Sequence, residues 1–148
     1  MAEVAGLFGR APRATTVTPA LPGAAHGGVR TVLRLEGLVV LAGALIAYDQ
    51  VGASWGAFAL LFLLPDLSLL GYLRGAQTGA LLYNAAHAYF GPAALLAVGS
   101  LATQPVSLAL GLVWLAHIGF DRMLGYGLKY RDGFGATHLG RIGRPDAW

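Results

Sequence analysis

Six polar side chains stand inside long apolar stretches of this chain: Glu36, Asp66, Asn84, His87, His117 and Asp121. An ionisable group in hydrocarbon costs about 3 kcal/mol or more unless it is paired, so each needs a partner or a purpose. Two imidazoles and two carboxylates offer the nitrogen and oxygen ligands that suit zinc or iron. Spacing sorts them into faces. Asn84 and His87 are three apart and Tyr83 and His87 four apart, so all three share one helical face. His117 and Asp121, four apart, share another, with Trp114 a turn earlier. Asp66 follows Pro65 on a third element. The chemistry expected is a metal site with Asp66, His87, His117 and Asp121 as ligands and Asn84 and Tyr83 as supporting polar groups. The metal would acidify a bound water, and Glu36 is the candidate catalytic base. A di-iron bundle uses two ExxH pairs and two further glutamates. The NxxH and HxxxD patterns here do not supply them, so one ion is expected rather than two.

Membrane helices must position these groups. Of 148 residues, 56% are hydrophobic and only 11% charged, against about 25% charged in soluble domains. Mean hydropathy is +0.62. Four apolar stretches run from about Val29 to Tyr48, Ser54 to Leu73, Ala76 to Val98 and Pro105 to Tyr126. Each is near the ~20 residues that a helix needs to cross a bilayer. The expected fold is all-α, an integral membrane four-helix bundle over residues 29–128. Residues 1–28 read as a flexible N-terminal tail and residues 129–148 as a basic, glycine-rich tail lying on the membrane surface. No apolar core follows Arg10 and Arg13 closely enough for a signal peptide. With no cysteine, disulfides and thiolate ligands are excluded.

Charge orients the bundle. With four spans, all ten basic residues fall on one side, while the loops at 49–53 and 99–104 hold none. The positive-inside rule then places both termini in the cytoplasm. A rise of ~1.5 Å per residue sets all six polar groups about 8–16 Å deep in the cytoplasmic leaflet. The expected partners are the lipid bilayer, anionic headgroups at the basic tails, and a homo-oligomer or larger membrane complex. No basic run with interleaved aromatics points to nucleic acid. Arg122, turned about 100° from Asp121, is expected to reach for headgroups. Tyr48, Trp55, Tyr72 and Tyr126 read as interface anchors.

Pro65 and Pro92 are expected to kink the second and third spans and to free the carbonyls of Leu61 and Ala88. Gly71, Gly75 and Gly79 form overlapping GxxxG spacings, read as a tight turn with close packing.

Four segments stand together in order: LLPDLSLLGYLRG (63–75), YNAAHAY (83–89), WLAHIGFDRMLGYGLKY (114–130) and GFGATHLGRIG (133–143). They resemble domain-of-unknown-function family 4260, small bacterial integral membrane proteins, from roughly Arg30 to Gly143. The resemblance implies a multi-pass protein of the bacterial inner (plasma) membrane and points to no particular reaction. It also draws in His138, on a tail that can fold back over the inner cavity.

Three functions compete. One is a single-metal site acting on a lipid or other membrane substrate. Another is a non-enzymatic accessory or structural subunit of a membrane assembly. The third, a proton or ion transporter, is disfavoured because nothing ionisable continues into the outer half of the spans.

Overall fold

The structure, a computed structural model, describes residues 23–143. The expected N-terminal tail therefore lies almost wholly outside the described residues, as does the end of the C-terminal tail. Four helical segments are long and apolar enough to cross a membrane: Gly27–Val51, Trp55–Arg74, Ala76–Leu101 and Pro105–Leu124. The chain is an all-α bundle, as its composition requires. Large apolar side chains cover the outside, with Leu60, Leu73 and Leu101 each more than four-fifths exposed. In a bilayer that surface needs no further cover.

α1 (Gly27–Val51) ends where Gly52 turns left-handed at φ 71° and its N–H reaches Asp49 O at 3.0 Å. α2 (Trp55–Leu61) opens on Ser54, whose hydroxyl accepts from Ala57 N–H. Pro65 does more than kink this span. Its missing N–H cannot meet the Leu61 carbonyl, α2 stops there, and residues Leu64–Arg74 wind as a 3₁₀ helix. With three residues per turn, Asp66, Leu69 and Tyr72 fall on one face.

The third span is also two pieces. α3 (Ala76–His87) stops at Ala88, which is extended at ψ 148°. α4 (Phe90–Leu101) resumes with Pro92 in its first turn, where a missing N–H costs nothing. α5 (Pro105–Leu124) is the most buried element, with α1 and α4 packed along it, while the 3₁₀ helix packs on α3. Its crossing with α1 requires glycine. A Cβ on Gly37 would lie 2.6 Å from Met123 N, and one on Gly119 would lie 2.7 Å from Leu41 N. The Gly71–Gly79 spacing behaves as read. Gly75 makes the turn at φ 113°, and Tyr72 lies flat where a Gly79 Cβ would be.

One anchor reading needs correction. Tyr48 is 1% exposed and belongs to the core with Ala44, Leu112, Val113 and Ala116. Its ring meets Trp55 and Phe58 edge-on and its hydroxyl donates to Ser54 O. Tyr72 packs edge-on against Phe134.

The tail is more ordered than its glycine content suggests. Residues 126–143 fold onto the end of the bundle and close with a short antiparallel pair, β1 (Ala136–Thr137) and β2 (Gly140–Arg141). Leu139 and Thr137 are fully buried there. Asn84 explains the docking: its amide donates to Lys129 O at 2.9 Å and accepts from Lys129 N–H at 2.7 Å. A side-chain amide thus pairs with the tail as a neighbouring strand would. His138 O accepts from Ala25 N–H at 2.7 Å, so both described chain ends meet at this end of the bundle.

Candidate metal centre

Two breaks in regular helix meet one continuous helix. The 3₁₀ helix carries Asp66, the end of α3 carries His87, and α5 carries His117 and Asp121 one turn apart. Each offers one ligand atom, and the four atoms lie within 4.8 Å of one another. His87 Nε2 is 3.0 Å from His117 Nε2, 3.5 Å from Asp66 Oδ1 and 3.5 Å from Asp121 Oδ2; His117 Nε2 is 3.6 Å from Asp66 Oδ1. A tetrahedral ion with bonds of ~2.0–2.1 Å sets its ligand atoms about 3.3–3.4 Å apart, so these four separations suit one first-row ion.

The protonation pattern agrees. His87 Nδ1 lies 2.9 Å from Tyr83 O. A carbonyl only accepts, so Nδ1 carries the proton and the Nε2 lone pair faces the cluster. The Tyr83 hydroxyl donates to Asp121 Oδ2 at 2.8 Å, and its ring stacks on His87 with centroids 3.7 Å apart. Tyr83 therefore steadies two candidate ligands at once. His87 and His117 are fully buried, while Asp66 keeps 38% of its side chain exposed and forms the open edge.

The broken span is held open from α5. Arg122 donates to His87 O at 2.9 Å and to Tyr126 O at 2.6 Å, and Trp114 Nε1 donates to Ala86 O at 2.6 Å. Carbonyls left over at the end of α3 thus find partners. Arg122 is 7% exposed, which corrects its expected reach to headgroups: its hydrogen bond to the carbonyl of His87, a cluster residue, holds it inside.

A cavity of about 370 Å³ opens on the cluster, lined by Asp66, Asp121 and Lys129 among others. Lys129 is 4% exposed, and its ammonium donates to Phe134 O at 2.9 Å. It sits over the Phe134 ring at 3.7 Å and the Tyr83 ring at 4.5 Å. Burial pushes its pKa down to about 8, against the opposite pull of the Asp121 and Asp66 carboxylates.

Not every expected residue arrives. Glu36 is exposed on α1, because its neighbour Gly37 takes the face against α5 and a helix turns about 100° per residue. It stays outside the group of four. Asn84 acts on the tail rather than on the cluster. His138 Nδ1 accepts from Leu128 N–H at 2.8 Å, so it braces the tail, and burial first and Arg122 next lower its pKa. Arg122 and Lys129 are the site residues that spacing did not single out. Both lie in the FDRMLGYGLKY run, whose dense charge beside an apolar span was the available signal.

The architecture defines a multi-pass, membrane-type helical bundle with a buried His/Asp group able to hold a metal ion. The chain belongs to the family described as Domain of unknown function (DUF4260), whose family model matches residues 30–142. No curated protein and no solved structure matches it.

Proposed function

We propose that this protein carries one transition-metal ion, zinc or iron, on Asp66, His87, His117 and Asp121, and uses it on a lipid or other membrane-resident substrate. One observation carries the reading. His87 Nε2, Asp66 Oδ1 and Asp121 Oδ2 are three lone-pair acceptors turned on one another, with the imidazole 3.5 Å from each carboxylate. Acceptors so arranged repel one another unless a shared proton or a cation lies between them, and a metal ion would answer all three at once. A bound zinc ion lowers the pKa of water to about 7 and supplies a nucleophile for hydrolysis. The exposed edge of Asp66 is the side from which substrate arrives. The positive-inside rule sets this end, and with it both termini, in the cytoplasm of a bacterial inner membrane. The basic residues flanking the spans at this end, among them Arg30, Arg74 and Arg131, support that orientation.

Metal analysis of detergent-purified full-length protein tests the proposal. Close to one transition ion per chain is expected, lost in His87→Ala and in His117→Ala with helix content retained. Metal-free protein of undiminished stability would overturn it.

A different observation favours a second reading, a non-enzymatic accessory subunit. His117 Nδ1 is buried without a hydrogen-bond partner among the described residues. If His117 Nε2–H simply donates to His87, Nδ1 is a bare acceptor, which costs less than the orphan N–H left when Nε2 binds a metal. The cluster would then fix helix register, and its variants would lose assembly without any metal being present.

A further inference from the structure

Lys129 is a buried ammonium with donors to spare. Among the described residues it gives one hydrogen bond, to Phe134 O, out of the three that an ammonium can donate. Among the described residues no carboxylate lies within ion-pair distance of it. It nevertheless lines the same cavity as Asp66 and Asp121. A divalent ion on the cluster would cancel these two carboxylates, because the neutral histidines add no charge. The cavity would then hold one uncompensated positive charge on Lys129, in a place where an unpaired charge is costly.

Leu69, Phe120, Leu124 and Ile142 give the wall an apolar flank beside Tyr83 and Tyr126, and Leu124 is exposed on the outer surface. One chamber therefore joins Lys129 and the two candidate ligands Asp66 and Asp121 to an apolar flank that reaches the outer surface. Resting on the metal reading above, we propose that this chamber takes an oxyanionic group, phosphate or carboxylate, carried by a membrane amphiphile. The metal and Lys129 Nζ share its oxygens, and its chain lies along Leu69, Phe120 and Leu124. Two cations facing one anionic group is the arrangement that binds phosphoryl or carboxylate oxygens and stabilises charge developing on them.

The test uses full-length protein loaded with Co²⁺, whose visible spectrum reports ligands entering the coordination sphere. The loaded protein is placed in phosphatidylcholine vesicles with and without phosphatidic acid, and separately titrated with inorganic phosphate. A spectral change with phosphatidic acid at low mole fraction, weakened at least tenfold in Lys129→Met and restored in Lys129→Arg, supports the proposal. An equal response to inorganic phosphate with the same Lys129 dependence supports the oxyanion site and assigns it to a free anion. Loaded wild-type protein that responds to neither probe, or a Lys129→Met response equal to wild type, overturns it. Failure to take up Co²⁺ at all would instead remove the metal reading, and this inference with it.

Discussion

His87 and His117 meet edge-on with their Nε2 atoms 3.0 Å apart, although they stand on different helices 30 residues apart. The tautomer of one decides what the other can do. With the His87 proton committed to Tyr83 O, the Nε2 lone pair points at His117 and at both carboxylates.

Tyr83 supports this arrangement at two points, so Tyr83→Phe is a selective probe. It deletes the hydrogen bond to Asp121 and keeps the ring stacked on His87. Losing such a supporting hydrogen bond should weaken metal affinity about 10–100-fold. Competition with a chelating dye measures it, while circular dichroism should show unchanged helix content. Unaltered affinity would mean that Asp121 is not held in place for a metal.

Asn84 should hold the tail. Asn84→Ala removes both hydrogen bonds to Lys129, each worth about 1–3 kcal/mol when its partner is left buried. Hydrogen exchange at Lys129 and His138 N–H should accelerate at least tenfold, with α1 and α5 amides unaffected. Equal protection in the variant would show that β1 and β2 dock unaided.

Acid should loosen the same tail. His138 Nδ1 must be unprotonated to accept from Leu128, and its pKa lies below the ordinary 6.5. The docked tail then binds fewer protons than the loosened one, so its stability is present above pH 6.5 and is lost as pH falls through the docked-state value. Exchange of Leu128 N–H, corrected for intrinsic rate, should rise on acidification. His138→Asn, which keeps an acceptor but does not titrate, should flatten the response. Lys129 acts in the same sense higher up, with stability rising between about 8 and 10.5 as its folded form gives up a proton first.

The α1–α5 crossing should be intolerant of a methyl group. Gly37→Ala drives a Cβ against the α5 backbone and should cost about 1–3 kcal/mol, read as a lowered thermal midpoint in detergent. Gly43→Ala on the same helix meets nothing within 4 Å and serves as a control that keeps the wild-type midpoint.

Apolar length and the scarcity of charge determined four spans, because a hydrocarbon layer admits few alternatives to continuous helix. The i,i+3 and i,i+4 spacings determined that His87 lies beside Tyr83 and that His117 lies a turn from Asp121, since helix geometry is local. What Pro65 and Pro92 would do was legible only as disruption. Whether a proline bends a span, tightens it to 3₁₀ or divides it depends on the contacts around the break, and here Arg122 and Trp114 on α5 meet the His87 and Ala86 carbonyls at the end of α3. Those partners are 28 and 35 residues away along the chain, so no local pattern announces them. Glu36 and Arg122 changed places for the same reason: depth follows from counting residues along a span, but facing follows from which neighbour packs there. The sequence by itself therefore determined the bundle and offered Asp66, His87, His117 and Asp121, with Glu36, as candidates. Only the tertiary structure brought them to one point and folded the tail over them with Lys129 inside, because burial and long-range pairing are properties of the assembled helices.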